Sequence, residues 1–229
     1  MAESEENPLD LNNASEIAAE INTELRSLRA MRRWSTVGIR KIMRRHARIL
    51  EQASPEFILD IAREVIWGRF VLIMEHQATA KSIDEAKLEE FGRGMNSWGA
   101  VDTFACHLAG PLWLNRQVPD ELFHRWAHSE DRWWRRAALA STVALNTRSQ
   151  GGNGDVPRTL RVCRYLVGDH DDMVVKALSW ALRALVVHDP DAVRRFLAEH
   201  DGVLAARVKR EVNNKLETGL KNPRRGKQK

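Results

Sequence analysis

The feature that most constrains the fold of this chain is a faint internal repeat with a period near 40 residues. The stretch VPDELFHRWAHSEDRWWRRAALAS begins at Val118, and VPRTLRVCRYLVGDHDDMVVKALSWA begins at Val156, 38 residues later. A third, looser unit, DPDAVRRFLAEHDGVLAARVKREV, begins at Asp189. Each unit places Pro at a helix start and follows it with a polar turn and a second helix. A helix-pair period of about 40 residues is typical of HEAT-type repeats.

Helix pairs of this kind bury one face against the next pair, and stacking them produces a curved solenoid with a concave surface. Because Val, Ile and Thr do not gather into alternating runs, strands are not expected. We therefore predict an all-α, HEAT-like helical-repeat solenoid with a concave basic groove, in which residues 54–80 and 84–113 supply earlier pairs. The sequence predicts one helical domain over 14–219, a disordered tail at 1–13 and a basic tail at 220–229.

The charge balance of the chain indicates a polyanionic partner. Its formal net charge is +5 and its pI is near 9.5, which favours nucleic acid or an anionic surface. Cys106 and Cys163 belong to no CxxC pair, so we expect buried thiols in a reducing compartment. The opening residues, MAESEENPLD, do not resemble a signal peptide, and no run reaches the roughly 20 apolar residues of a membrane span. These features predict a cytoplasmic protein.

Polar and aromatic residues of unusual type recur on the second helices of the repeats. In NSWGAVDTFA, residues 96–105, Trp98 and Asp102 stand four apart and so project from one helix face. The second helices of the later repeats carry further cations and another tryptophan, namely Arg135, Arg136, Lys176, Trp180 and Arg183. If the second helices line the concave side, these side chains can meet across one groove.

Each of these residues also has an ordinary structural explanation. Asp102 could cap a helix or pair with a neighbouring arginine, the tryptophans could fill the core, and the arginines could form a solvated face. Their occurrence at corresponding repeat positions favours a shared site. The histidines show no dense ligand spacing and no GxSxG elbow is present, so neither a metal nor a serine nucleophile is expected. Glu75, the other acid on an apolar helix, is expected to pair with an arginine of an adjacent helix.

Three segments among these carry a resemblance to a known family. SWGAVDTFA, WWRRAALA and KALSWALR, in this order and spacing, resemble the AlkC/AlkD family of bacterial DNA alkylation-repair glycosylases, which are built from HEAT-like repeats. The similarity spans roughly residues 35 to 215. Ser97 stands where many members have a second tryptophan, and Gly99 stands where an aspartate is common.

The resemblance implies roles for the residues already singled out. Asp102 would be the catalytic carboxylate, and Trp98 and Trp180 would flank the damaged nucleotide. Arg136 would contact the DNA near the lesion. The position of Arg135 need not be basic in the family. As basic side chains of the second helices, Arg135, Lys176 and Arg183 are expected to hold DNA phosphates.

The implied substrate is duplex DNA that contains a positively charged N3- or N7-alkylated purine. A monomer would hydrolyse the N-glycosidic bond without a cofactor or a metal, and the base would stay outside a tight pocket. The protein would be associated with the nucleoid when bound to DNA. Two alternatives stay open at this point: a catalytically silent protein that recognises branched or damaged DNA, and a helical-repeat scaffold for protein partners.

Overall fold

The computed structural model describes residues 13–223. Helices occupy most of this part of the chain, and it contains no β-strand, so the predicted all-α class is confirmed. The predicted tails lie outside the described residues, except for Asn13, which caps the first helix, and residues 220–223. Within the same described range, no helix combines the length and the hydrophobicity that a membrane crossing requires.

The chain divides into two compact units, Met1–Ile83 and Asp84–Lys229. The boundary between the units falls inside residues 14–219, the region predicted as one domain. The described part of the first unit consists of α1 (Ala14–Ala30), α2 (Thr36–Ile49), α3 (Pro55–Glu64), α4 (Arg69–Glu75) and α5 (Gln77–Ser82). In this unit α1 packs against α2 and α3, while α4 contacts both α2 and α3. Their apolar faces meet in one buried cluster, which includes Ile17, Ile21, Leu25, Met43, Ile58, Ile61 and Leu72.

Glu75 lies in the first unit and has the partner that its sequence position suggests. Nε of Arg44 on α2 donates to its carboxylate at 2.8 Å across the contact between α2 and α4. The predicted pairing of this acid with an arginine of an adjacent helix is confirmed.

The second unit begins with α6 (Glu85–Gly92) and α7 (Trp98–Phe104), and a single π-helical turn (Ala105–Ala109) joins α7 to α8 (Gly110–Leu114). The following helices are α9 (Asp120–Ala127), α10 (Arg132–Leu145), α11 (Val156–Tyr165), α12 (Asp172–Leu185), α13 (Pro190–Glu199) and α14 (Ala206–Thr218). The three predicted repeats correspond to the pairs α9/α10, α11/α12 and α13/α14. Pro lies in the first turn of α11 and of α13, as the repeat predicts.

The second helices of these pairs form one continuous layer with α7, the second helix of the preceding pair α6/α7. Helix α7 packs against α10, α10 packs against α12, and α12 packs against α14. The first helices α9 and α11 contact one another, and each also packs on the second helix of its own pair. This arrangement is that of a helical-repeat all-α fold, because the second helix of each pair packs against the second helix of the next pair. The concave basic groove stays a prediction.

The π-helical turn sets the path of the chain just after the helix that carries Trp98 and Asp102. The N–H of Gly110 donates to the carbonyl of Ala105, five residues back, instead of to Cys106. The carbonyl of Cys106 is thereby freed, and it accepts a hydrogen bond from Nε2 of Gln150 at 3.0 Å. Pro111 follows directly and has no N–H to continue an α-helical ladder. Isolated π turns of this kind are frequent beside functional sites.

Candidate functional site

Asp102 and Arg136 form a two-point ion pair between α7 and α10. Nε of Arg136 donates to Oδ1 of Asp102 at 2.9 Å, and Nη2 donates to Oδ2 at 2.8 Å. The third nitrogen, Nη1, donates to the main-chain carbonyl of Met173 on α12 at 2.5 Å. One guanidinium therefore ties together the three second helices α7, α10 and α12. The planar fork of arginine matches a carboxylate in this two-point geometry and fixes its orientation.

Asp102 is the outward member of the pair. Its side chain is 20% exposed, whereas that of Arg136 is 6% exposed. Both carboxylate oxygens accept from the guanidinium on the buried side, and each oxygen keeps further acceptor capacity. The pairing of Asp102 with a neighbouring arginine, which the sequence left open as a structural explanation, is thus present in the fold. The carboxylate of Asp102 is nevertheless partly accessible to solvent while it is paired with Arg136.

Trp98 is the first residue of α7 and stands one helical turn before Asp102. Its side chain is 62% exposed, so this tryptophan does not fill the core. Ser97 caps the helix, because its hydroxyl accepts a hydrogen bond from the N–H of Ala100 at 3.4 Å. The serine that replaces the second tryptophan of the resembled family therefore has a local function: it starts the helix that presents Trp98 and Asp102.

Trp180 is half-buried on α12 and lines a cavity of about 380 Å³. The cavity wall has a strongly basic character. The cations that line it with Trp180 are Arg148, Arg183, Lys215 and Lys221. An indole beside several cations is a surface suited to a nucleotide, whose sugar and base can pack on the ring while the cations neutralise its phosphates.

The predicted cations on α12 lie on one face of that helix with Trp180, because 176, 180 and 183 follow helical spacing. Nζ of Lys176 is 2.6 Å from the carboxylate of Asp172, one turn earlier. Nε of Arg183 donates to the hydroxyl of Ser179 at 3.2 Å, and burial lowers the pKa of its guanidinium. The structure therefore brings Lys176, Trp180 and Arg183 together along one helix.

Arg135 lies beside Arg136 in sequence but takes part in a different set of contacts. Its Nε donates to Asp169 at 2.7 Å, and its Nη1 donates to the carbonyls of Ser129 and Glu130 at 2.9 and 2.7 Å. The Arg135 side chain thereby connects the turn before α10 with the turn before α12 through hydrogen bonds. Arg135 and Arg136 thus both hold the protein together at their present positions, and the structure assigns neither of them a free cationic group.

Sequence reasoning missed three cations of the Trp180 cavity, namely Arg148, Lys215 and Lys221. They come from the 3₁₀ turn Arg148–Gln150, from α14, and from the chain after α14. Arg148 and Lys221 are 73 positions apart in the sequence, so no local spacing signals that they share a surface. Only the packing of α10, α12 and α14 brings them to one cavity.

Neither cysteine offers a nucleophile. Burial, assisted by the negative charge of Asp102 and opposed by the positive charge of Arg136, raises the pKa of the Cys106 thiol to about 12. Cys163 is buried, and the same desolvation raises its pKa further. Both thiols are free and stay protonated at neutral pH. In the described range, the group of acidic and histidine side chains that could share a metal ion is Glu20, Glu24 and His46, and it contains none of the predicted site residues.

The fold and the site define a class: an all-α helical-repeat protein that presents a carboxylate and two partly exposed tryptophans on its second helices. The family model described as DNA alkylation repair enzyme matches residues 70–216, more than half of the chain. The chain belongs to this family, and its role is therefore in the repair of alkylated DNA, with DNA as its substrate. The resemblance to the AlkC/AlkD group is confirmed. Among curated proteins, no sequence matches the chain significantly.

Proposed function

We propose that this protein is a DNA glycosylase of base-excision repair, which hydrolyses the N-glycosidic bond of N3- or N7-alkylated purines in duplex DNA. The observation that carries the proposal is the position of the Asp102 carboxylate. It is oriented at two points by Arg136, it is partly open to solvent, and it stands one helical turn from the exposed ring of Trp98. The proposed enzyme is a monomer that uses neither a cofactor nor a metal.

The chemistry of the substrate explains why one carboxylate is sufficient. An N3- or N7-alkylated purine carries a positive charge and leaves as a neutral base, so its departure needs little acid catalysis. As the bond between the base and C1′ lengthens, its electrons go to the base and the deoxyribose acquires oxocarbenium character, as in glycoside hydrolysis. Water then attacks C1′ and loses a proton, which gives an abasic sugar and the free base.

Asp102 is the group proposed to stabilise that developing cation and to orient the attacking water. A carboxylate held in place before the reaction stabilises charge without reorganisation during the reaction. Arg136 lies on the buried side of the pair, so a cationic sugar on the open side is closer to the carboxylate than to the guanidinium. The attraction exceeds the repulsion at that position because Coulomb energy falls with distance. Arg136 is a positioning residue in this scheme, in place of the direct DNA contact that the resemblance implies.

The two tryptophans and the cations on α12 are proposed to contact different parts of the DNA, the sugar and the phosphates. Indole faces attract cations by about 0.5 to 2 kcal/mol, so Trp98 and Trp180 favour the same positively charged sugar. Lys176 and Arg183, on the Trp180 face of α12, are proposed to bind phosphates. Phosphate contacts set the register of the protein on the duplex and make binding depend on salt.

The test is base release from methylated duplex DNA by the purified protein and by the variant Asp102→Asn. We expect Asp102→Asn to bind the duplex but to release purines at least about 100-fold more slowly, as when a preorganised charge-stabilising group is removed. Asp169→Asn is the matched control, because Asp169 is ion-paired with the neighbouring Arg135 at 2.7 Å and is 11% exposed. The proposal requires that this control keep its release rate.

The ion pair also favours a second candidate, a DNA-binding protein without glycosylase chemistry. Both carboxylate oxygens of Asp102 accept hydrogen bonds from Arg136. An aspartate that only stabilises the fold, without taking part in catalysis, would have the same contacts. If the wild-type protein binds methylated duplex but releases no base, this second function replaces the first. Equal losses of release in Asp102→Asn and Asp169→Asn, accompanied by equal losses of stability, would also favour it.

A further inference from the structure

A strongly basic segment lies in the first unit, ahead of the residues that the family model matches. Between Leu25 and Leu50 the sequence contains no Asp or Glu. It contains nine Arg and Lys residues, which are Arg26, Arg29, Arg32, Arg33, Arg40, Lys41, Arg44, Arg45 and Arg48. The family match begins at residue 70 and therefore assigns nothing to this segment. Its positive charge exceeds the net charge of +5 of the whole chain.

The turn between α1 and α2, together with the first turn of α2, presents large apolar side chains to solvent within this basic segment. Met31 is 60% exposed, Trp34 is 38% exposed and Val37 is 78% exposed. Arg32 lies between them in a left-handed conformation with φ of 54°. The ring of Trp34 packs edge-on against Trp67 with 4.9 Å between ring centroids, so it is held in place while partly exposed. The turn is therefore an ordered surface segment in which apolar and cationic side chains lie next to one another.

Several cations of the turn and of α2 have no carboxylate partner among the residues that the structure describes. Arg44 pairs with Glu75 and Arg45 pairs with Glu24. By contrast, five others form no hydrogen bond or ion pair through their side chains within residues 13–223, namely Arg32, Arg33, Arg40, Lys41 and Arg48. Unpaired cations at this density repel one another, and an anionic partner relieves that repulsion.

The exposed face of α2 extends this apolar and cationic surface along the helix. Val37, Lys41, Arg44 and Arg48 follow the three- and four-residue spacing of one helix face, and all four are exposed. The opposite face of α2 buries Met43, His46 and Ala47 in the core of the first unit. The result is a row of cations along one helix that begins at the apolar turn.

We propose that this surface, formed by Met31–Val37 and the exposed face of α2, is a second DNA-contact surface that binds the minor groove of a duplex. Its cations would neutralise phosphates, and its apolar side chains would contact the groove, a combination found in minor-groove binding proteins. DNA is favoured over other polyanions because the family acts on DNA. The proposal rests on DNA as the substrate and is independent of the glycosylase chemistry at Asp102.

The first experiment measures the affinity of the full-length protein for an undamaged duplex at several salt concentrations, by fluorescence anisotropy. The double variant Lys41→Gln/Arg48→Gln should lower the slope of log affinity against log salt by about 2, because each phosphate contact contributes about 0.9. The matched control is Arg161→Gln/Arg195→Gln, which removes two exposed arginines of α11 and α13 that have no partner within the described range. The control should keep the wild-type slope.

The second experiment separates the apolar contribution from the charges. Met31→Ser/Val37→Ser should weaken duplex binding by up to about tenfold and leave the salt slope unchanged, because apolar contacts release no counterions. Unchanged melting temperatures verify that each variant is folded. Wild-type affinity and slope in Lys41→Gln/Arg48→Gln would overturn the proposal, and so would an equal loss in the control variant.

The same variants are compared on vesicles of phosphatidylserine and phosphatidylcholine. Basic segments with exposed tryptophan also bind anionic bilayers. Vesicle binding that these substitutions abolish, together with DNA binding that they leave intact, would assign the surface to a membrane and overturn the DNA proposal. Failure of the glycosylase proposal gives a different result. In that case the wild-type protein releases no base, and this outcome does not depend on how its duplex affinity changes with salt.

Discussion

A β-carbon added to Gly110 would lie 2.7 Å from the β-carbon of Ala144, so α8 and α10 approach one another too closely for any larger residue. The same added atom would lie 2.8 Å from the carbonyl oxygens of Ala105 and Ser141. This contact comes just after the π-helical turn, and it packs α10 against the helical segment 98–114, which carries Trp98 and Asp102. Glycine at this position is therefore a packing requirement of the site.

We expect Gly110→Ala to destabilise the protein by about 1 to 3 kcal/mol, the usual effect of overpacking a rigid contact. Gly99→Ala is its control, because a β-carbon at Gly99 in α7 meets no atom within 4 Å. Alanine has the higher helix propensity, so Gly99→Ala should stabilise by about 0.5 to 1 kcal/mol. Urea denaturation of both variants measures the difference, and equal stabilities would contradict the close approach of α8 to α10.

Arg136→Gln should destabilise the protein by about 2 to 4 kcal/mol, because it leaves the partly buried Asp102 carboxylate without its partner. The double variant Asp102→Asn/Arg136→Gln removes that uncompensated charge and should recover part of the stability. It should not recover base release, which needs the carboxylate. Denaturation and single-turnover release assays on the same samples separate the two effects. Release restored in the double variant would show that Asp102 has only a structural function.

Trp98→Ala should leave the free energy of unfolding within about 0.5 kcal/mol of the wild-type value, because the ring is 62% exposed. Base release should nevertheless fall by about 2- to 30-fold, which corresponds to the loss of a cation–π contribution of about 0.5 to 2 kcal/mol. Tyr165→Ala serves as the comparison, since Tyr165 is another exposed aromatic residue, on α11. Equal release by all three proteins would remove Trp98 from the proposed site.

Asp171 gives the stability of the second unit a defined dependence on pH. Its side chain accepts from the N–H of Met173 at 2.8 Å and lies 3.3 Å from Nη1 of Arg132. Partial burial acts to raise the pKa of this carboxyl, but the hydrogen bond from Met173 and the pairing with Arg132 outweigh it, so the pKa is lowered. The stabilisation is therefore present above about pH 3.8, its ordinary value, and is lost as the pH falls through the lower folded-state value.

Asp171→Asn keeps a cap for α12 but removes the charge, so at neutral pH it should cost less than about 1 kcal/mol. The difference between the two proteins should shrink as the pH falls below 3.8. Denaturation curves at pH 7 and at successively lower pH values measure this difference. A difference that persists unchanged at the lowest pH would contradict a role for the charged carboxylate.

The fold was largely predictable because its signals are local. Proline lies in the first turn of α11 and of α13, and aspartate side chains cap the starts of α11, α12 and α13 at Asp155, Asp171 and Asp189, so both residue types mark where helices begin. The π-helical turn was not predictable in the same way. Its bonding pattern depends on a side chain from elsewhere, since Gln150 satisfies the carbonyl of Cys106 from 44 residues away in sequence.

The candidate site was predictable in its members but not in their contacts. Helical spacing is sufficient to place Trp98 beside Asp102, and Lys176 beside Trp180. The partner of Asp102 could have been Arg135 or Arg136 by sequence alone, and both were expected to bind DNA. In the fold, Arg135 bonds to Asp169 and Arg136 bonds to Asp102, because adjacent helical residues point about 100° apart and reach different neighbours.

The sequence by itself determined the all-α class, the helix pairs, and the family that acts on alkylated DNA, because periodicity, caps and motif order are properties of neighbouring residues along the chain. Only the tertiary structure decided which arginine orients Asp102 and which distant cations surround Trp180. It also decided which cations of α2 are left without a partner among the described residues. These outcomes depend on the packing of one helix against the next, which brings together side chains that are far apart in sequence.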